Sequence, residues 1–280
     1  MDPLDLRSEQ RARWEQAAEG WGRRADHIRE VSLPLSERMV ESLGLTSGQR
    51  VLELAAGPGD TGFLAAKEIA PGTLVTSDGS EAMLEVARAR ARELGIDNVE
   101  FKTLELEWID LPTANVDAVI CRWGIMLCLD PATAASEIRR VLKPGGRLSA
   151  AVWDSADLNP WATLDWQAVI ELGHMEPPDE GGPGMFALAP APRLRELLEN
   201  AGFLDVLVDG LELDRPYADV EEYLAESLEL SPTFSEVWAK LDEAQRSEVI
   251  ERTGVLAAPY RSADGSLRLP GRSLIAVASA

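Results

Sequence analysis

Residues Val51 to Gly62 read Val-Leu-Glu-Leu-Ala-Ala-Gly-Pro-Gly-Asp-Thr-Gly: an apolar run carrying an acid, Glu53, then a turn through Gly57-Pro58-Gly59 and a third glycine at 62. Bare backbone at such a turn lets the polar groups of a ligand approach, and a helix N-terminus just beyond it favours negative charge. Gly57 to Gly62 satisfies the letter of the dinucleotide fingerprint G-x-G-x-x-G, a pattern frequent by chance. Two acids bear on which ligand is meant. Glu53 falls at the carboxyl end of a first strand, where ligands of open α/β sheets bind. A carboxylate there crowds a pyrophosphate and suits an ammonium or sulfonium charge. Asp78 ends a second strand in Ser77-Asp78-Gly79-Ser80, where a carboxylate accepts two hydrogen bonds from a ribose diol. That role fits NAD and any other adenosine ligand alike.

The elements that must position these residues follow from the hydrophobic period. Between residues 50 and 152 apolar runs alternate with helical patterns, the signature of a parallel sheet covered on both faces. The spacing predicts strands at 50–54, 73–77, 99–102, 116–121 and 147–152, with helices at 61–69, 81–94 and 132–142 between them. Ser80 reads as an N-cap, Gly95 as a C-terminal stop, and Lys143-Pro144-Gly145-Gly146 as the turn from the third helix into the fifth strand. Two helices, at about 9–27 and 34–43, precede this unit, and the first places Trp14, Ala17, Ala18 and Trp21 at helical spacing. After residue 152 come a tryptophan-rich segment with Trp153, Trp161 and Trp166, and a loop from Pro177-Pro178 to Gly184. A helix at 192–200, a strand at 205–213, helices at 219–229 and 236–253, and an apolar strand at 272–278 complete the chain.

Composition bounds the partners. The 280 residues suffice for one sizeable core, and the net charge of −21 repels phosphate backbones, so nucleic acid and an anionic membrane surface are not expected partners. Cys121 and Cys128 are too few for a disulfide framework, and neither they nor His27 and His174 have the spacing of a metal site. No apolar stretch approaches the ~20 residues of a membrane span, and the acidic N-terminus lacks a signal-peptide core. A cytoplasmic, reduced setting is expected.

The order of these features resembles the class I S-adenosylmethionine (SAM)-dependent methyltransferases over about residues 45–152. The family's first motif is matched by Glu53-Leu54-Ala55-Ala56-Gly57-Pro58-Gly59, with Ala55 where the family usually has glycine. One methyl group fits there if the backbone is not left-handed. Asp78, followed by Gly79 and Met83, stands at the ribose position, and Glu105-Leu106-Glu107 at the short acidic segment that reads adenine. The strand Val116-Asp117-Ala118-Val119-Ile120-Cys121 is followed by Arg122-Trp123 at the lip of the pocket, where the Cys121 carbonyl would take the methionine ammonium. Glu137 to Gly146 matches the family's helix–turn–strand signature, which a NAD(P) enzyme does not predict. The local style, Cys-Arg-Trp-Gly-Ile-Met and then Ala-Val-Trp, is similar to the ubiquinone/menaquinone-biosynthesis-like group of small-molecule methyltransferases.

The resemblance implies a Rossmann-like α/β fold, a seven-stranded mostly parallel sheet whose last strand is antiparallel, with helices on both faces. Residues 1–44 are expected to form a helical lid, and residues 45–280 a SAM-binding domain with helical cap segments at about 153–190 and 214–270. The expected reaction is methyl transfer from S-adenosyl-L-methionine to a small, apolar or aromatic acceptor by in-line displacement. His27 is a candidate base, with a surface or capping role as its rival reading, and neither it nor His174 is assigned. Trp14, Trp21, Trp123, Trp153, Trp161 and Trp166 are candidates to line an acceptor pocket or stack near a sulfonium; at least half of them are expected in the core, with Trp123 at the ligand mouth. Gly62 is expected to serve helix packing. A NAD(P)-dependent oxidoreductase and a SAM-binding protein without transfer activity are the alternatives. The acceptor, the kind of atom methylated and the oligomeric state are left open.

Overall fold

The computed structural model describes residues 3–177 and 184–280; the expected loop from Pro177 to Gly184 falls largely outside the described residues. Two N-terminal helices, α1 (Pro3–Arg23) and α2 (Ala25–Leu43), lead into β1 (Arg50–Leu54), α3 (Asp60–Ile69), β2 (Thr73–Asp78), α4 (Glu81–Leu94), β3 (Val99–Thr103), β4 (Val116–Arg122), α5 (Pro131–Val141) and β5 (Leu142–Trp153). Then follow α6 (Leu164–Glu171), α7 (Ala191–Asn200), β6 (Leu204–Tyr217), α8 (Val220–Leu230), α9 (Pro232–Ala239), α10 (Glu243–Leu256) and β7 (Leu267–Ser279).

The strands form one sheet in the order β3-β2-β1-β4-β5-β7-β6. β1 pairs in parallel with β2 and β4, β2 with β3, and β4 with β5, while β7 runs antiparallel to both β5 and β6. The chain order reverses between β1 and β4, so the carboxyl ends of these strands face a crevice open to a ligand. The central strands are apolar on both faces because helices cover both: Val51, Leu52, Leu54, Leu74, Val75, Val119 and Ile120 are fully buried. Each such side chain contributes roughly 1.5–3 kcal/mol relative to an exposed position.

The expected boundaries shift in four places. The first helical segment breaks at Arg24 rather than after His27, and α2 runs through Pro34. Proline removes one helical hydrogen bond, but the face Ile28, Val31, Leu35, Met39 and Leu43 is buried along the whole of α2 and holds it together. β5 begins at Leu142: Leu142 pairs with Val116, Arg147 pairs with Ala118, and the Lys143–Gly146 turn forms the irregularity between them. The single helix expected at 236–253 is two, because Ser231 caps α9 and Asp242 with Gln245 forms a capping box that starts α10. Finally, β6 and β7 are longer than their apolar runs predict, since they pair with each other from Leu204–Ser279 to Tyr217–Leu267. The helical insertion between them therefore spans residues 218–266.

That insertion packs with α6 into a second apolar core built from Leu164, Val169, Tyr223, Phe234 and Val249. It lies beside the sheet and buttresses α1: the Trp21 indole N–H donates to the Leu230 carbonyl at 3.3 Å, and Arg24 pairs with Glu229 at 3.2 Å.

Candidate functional site

A cavity opens at the carboxyl ends of β1, β2 and β4 and encloses, with its mouth, about 970 Å³. Of the site residues expected from sequence, Ala55, Ala56 and Gly57 line it from the β1 turn, and Asp78, Gly79 and Met83 from the β2–α4 junction. Glu105, Leu106 and Glu107 line it after β3, and Arg122 and Trp123 after β4. Glu53, Gly59 and Cys121 do not line it.

Each absence has a physical cause. Glu53 is 2% exposed, and its carboxylate accepts from the Gly62 N–H at 2.6 Å and from the Thr76 hydroxyl. It therefore occupies the N-terminus of α3, the position a pyrophosphate takes in a dinucleotide site. A Cβ on Gly62 would stand 2.2 Å from Glu53 Oε2. The third glycine of the fingerprint thus makes room for an internal carboxylate, which refines its expected role in helix packing. Burial pushes the Glu53 carboxyl up to about 8, against the opposing pull of those two hydrogen bonds. Gly59 precedes α3 with φ +85°, where a Cβ would meet the Phe63 ring at 2.6 Å. Cys121 is fully buried, its thiol turned onto the backbone of Gly124 and Ile125 and pushed up to about 12 by burial.

Ala55 corrects an expectation. Its φ is +50°, inside the left-handed region, so the methyl group sits where glycine is favoured at a cost of about 1–2 kcal/mol. Gly124 supplies the compensating space: a Cβ there would lie 2.4 Å from that of Ala55.

Asp78 is fixed before any ligand arrives. Its Oδ2 accepts from the Gly57 N–H at 2.9 Å and its Oδ1 from the Ser80 N–H at 3.0 Å. Burial raises its pKa, and these two donors pull it back. The Ser80 hydroxyl in turn caps α4 by accepting from the Met83 N–H at 3.1 Å. One carboxylate thereby ties the glycine turn of β1 to the start of α4 in the cavity wall.

The opposite wall is α1. Arg7, Gln10, Arg11, Trp14 and Trp21 line the cavity from this helix. Arg7 pairs with Glu107 at 3.0 Å and Arg11 with Glu105 at 2.5 Å, while the Gln10 amide donates to the Leu127 carbonyl at 2.7 Å. Glu15 accepts from the N–H groups of Glu81 and Ala82 at 2.8 and 3.1 Å, capping α4 from outside. The sequence places Trp14 and Trp21 on one helical face with Ala17 and Ala18, and Arg7, Gln10 and Arg11 extend that face along the cavity. The signal for this extension is in the sequence, since positions 7, 10, 11, 14, 17, 18 and 21 trace one helical face.

Trp153 and Trp161 stack behind Trp123, with ring centres 4.2 Å apart for Trp123–Trp153 and 4.7 Å for Trp153–Trp161, and Trp166 belongs to the second core. Neither histidine lines the cavity; His27 Nε2 lies 3.0 Å from Glu226 Oε2. None of the described residues of 153–190 or 214–270 lines it either. No cluster able to hold a metal ion occurs among the described residues, and none of their helices is long and apolar enough to cross a membrane.

Comparison with known proteins agrees with this architecture. Residues 45–174 match the family model described as a methyltransferase domain. The ubiquinone/menaquinone biosynthesis C-methyltransferase UbiE of Pseudomonas entomophila is 36% identical over 111 residues, covering 39% of this chain and 43% of that protein. The chain thus spans less than half the length of that curated relative. Among solved structures, the [4+2]-cyclase SpnF superposes with a TM-score of 0.55 at 19% identity, covering 94% of this chain and 95% of that one. Phosphoethanolamine N-methyltransferase 2 of Haemonchus contortus, solved with S-adenosyl-L-methionine, gives 0.53 at 19% identity over 88% of this chain and 52% of that one. At this identity both show a shared fold. The family match and the strand order agree: residues 45–174 are similar to a methyltransferase domain and are built on the sheet that the superposed structures share.

Proposed function

We propose that this chain transfers a methyl group from S-adenosyl-L-methionine to a small-molecule acceptor by in-line displacement. The observation that carries the reading is the Asp78 carboxylate, held by the Gly57 and Ser80 N–H groups in the cavity wall. A ribose diol satisfies such a carboxylate. A pyrophosphate does not fit beside it, because Glu53 already fills the α3 N-terminus and Glu105 and Glu107 line the same cavity. The UbiE relative, named as a C-methyltransferase, supports methylation of a small molecule.

When bound, SAM supplies an electrophilic methyl on a sulfonium sulfur. The chain's own task is alignment and exclusion of water. Asp78 orients the ribose, the backbone at Leu106 and the side chain of Glu105 meet the adenine edge, and the turn at 55–57 meets the methionine end. The α1 wall, with Trp14 and Trp21, closes over them as the lid and defines the acceptor side. The surface charge of −21 supports a cytoplasmic small-molecule enzyme and disfavours nucleic-acid substrates.

Calorimetric titration with S-adenosylhomocysteine and NAD, joined to mass-spectrometric detection of methyl transfer across an acceptor panel, tests the reading. Micromolar S-adenosylhomocysteine binding, NAD weaker by about 100-fold, and turnover are expected, since each 1.4 kcal/mol of lost complementarity is tenfold. Tight NAD binding without S-adenosylhomocysteine binding overturns it. A second reading, nucleoside binding without methyl transfer, is kept because a protein named as a cyclase carries the same fold. Binding without turnover on any acceptor selects it.

A further inference from the structure

One cation in the cavity wall has no anion bonded to it among the described residues. Arg7 and Arg11 line the cavity but are already paired with Glu107 and Glu105. Arg122 lines it too, at the end of β4, and its guanidinium makes no hydrogen bond or ion pair to any described residue; its Nη1 is fully buried without a partner. Its guanidinium lies over the Trp123 ring, 4.5 Å from the centre. Asp60 and Glu53 are the negative groups that act on it, neither as a hydrogen-bond partner: Asp60 Oδ1 is bound by Arg90 at 2.7 Å while its Oδ2 is buried without a partner, and Glu53 is bound by Gly62 and Thr76. Burial lowers the Arg122 pKa, and the charge of Arg215 works in the same direction. A buried guanidinium without a counter-ion is costly, and the cost is relieved when an anion reaches it.

The backbone beside it is built to hold this arrangement. Trp123 has φ +59°, which a bulky residue avoids unless its surroundings impose it. They do so at three points. The Trp123 N–H donates to the Ala151 carbonyl at 2.8 Å, the indole N–H donates to Ser273 Oγ at 2.9 Å, and the ring stacks on Trp153. The stack continues to Trp161, which Arg215 covers at 4.1 Å, and Arg215 is neutralised by Glu226. Two arginines thus end one tryptophan ladder. The one away from the cavity has its carboxylate, and the one facing the cavity lacks it.

Resting on the methyltransferase reading above, we propose that the methyl acceptor is a flat, mostly apolar molecule bearing an anionic oxygen, carboxylate or phenolate, and that Arg122 is the residue that receives this anion. The rest of the wall suits the apolar body: Trp14, Trp21, Trp123, Leu127 and Cys128 face the same space. The lining holds no histidine, lysine or tyrosine. An acceptor whose attacking oxygen is already ionised needs no general base. Its electron pair forms the bond to the methyl carbon, the sulfur–methyl bond breaks, and that bond's electrons neutralise the sulfonium with no proton to remove. Where the anion is a carboxylate elsewhere on the acceptor, Arg122 positions the molecule, and a neutral nucleophile bonds to the methyl carbon as the sulfur–methyl bond breaks and then gives up its proton to water.

The test uses the full chain saturated with S-adenosylhomocysteine, titrated by calorimetry with 1-naphthoate and its neutral isostere 1-naphthamide. Wild-type protein is expected to prefer the anion by about 10- to 100-fold, the range of a charge-assisted pair. Arg122→Met should bring the ratio close to one, and Arg122→Lys should keep part of the preference while guarding against a folding defect in the first variant. Equal binding of the two probes to wild-type protein overturns the proposal. So does a loss of S-adenosylhomocysteine affinity in Arg122→Met with unchanged affinity for 5′-methylthioadenosine, which would assign Arg122 to the carboxylate of the nucleoside ligand. If wild-type protein binds no S-adenosylhomocysteine, the methyltransferase reading itself fails and takes this proposal with it.

Discussion

The two walls of the cavity are made in different ways. The strand-end wall is fixed by backbone: Asp78 is held by two N–H groups, Glu53 locks α3 to β2, and Ala55, Gly57 and Trp123 occupy left-handed conformations that the surrounding packing enforces. The α1 wall is held by side chains: at the rim by the pairs Arg7–Glu107 and Arg11–Glu105, of which both arginines and Glu105 are more than a third exposed, and behind them by Gln10 on Leu127, Glu15 on the start of α4 and the cluster of Ala17, Ala18 and Met83. Exposed pairs contribute only about 0–1 kcal/mol and weaken with salt. The comparison teaches that one wall is pre-organised for a nucleoside, while the other is latched weakly enough to admit a second molecule.

The largest effect is expected from breaking the fixed wall at its tightest point. Gly62→Ala drives a Cβ to 2.2 Å from Glu53 Oε2 and should cost roughly 3 kcal/mol or more of stability, as overpacking against a buried polar group does. Urea denaturation measures it, and a change below about 0.5 kcal/mol would show that this wall yields after all. Next, Asp78→Ala should weaken S-adenosylhomocysteine binding by about 100-fold while leaving the fold intact, the loss of one or two hydrogen bonds to a charged acceptor. Unchanged affinity removes Asp78 from the ribose role.

A pH series sharpens the comparison further. The Glu53 pKa is raised in the folded chain from 4.5 to about 8, so the folded state binds more protons than the unfolded state between those values. This group's contribution to stability is therefore fully present below about 4.5 and is lost as pH rises towards about 8. Glu53→Gln should flatten that slope in thermal melts between pH 5 and 8, and an unaltered slope would assign it to other groups. The smallest effect belongs to the latch. Replacing Arg7 and Arg11 with alanine should change global stability by less than about 1 kcal/mol. It should nevertheless speed hydrogen exchange along α1, and high salt should reproduce the effect in wild-type protein. Unchanged exchange would mean that the Trp14 and Trp21 contacts, not the ion pairs, hold the helix down.

Much of the fixed wall was legible in the chain because its determinants are local. A strand that ends in an acid, a glycine turn and a capped helix follow one another within a few residues, and turn chemistry reports directly on backbone shape. Asp78 follows in this way, whereas the acids of 105–107 follow only from the family resemblance. The α1 wall was legible only as a helix with tryptophans on one face. Its partners Glu105 and Glu107 lie about a hundred residues away, and no local period encodes which surface a helix will cover.

The sequence by itself determined the alternation of strands and helices, the turn at 55–59 and the carboxylate at 78, because hydrophobic period and turn residues act over one or two turns of chain. Only the tertiary structure decided where side chains with the same chemistry ended up. Glu53 and Asp78 are both acids at strand ends, yet Glu53 is directed beneath α3 and Asp78 toward the cavity. Arg122 and Arg215 both stack on the tryptophan ladder, yet Glu226 reaches only the second. The face of a strand and the reach of a distant helix settle such differences, and both exist only once the sheet has formed.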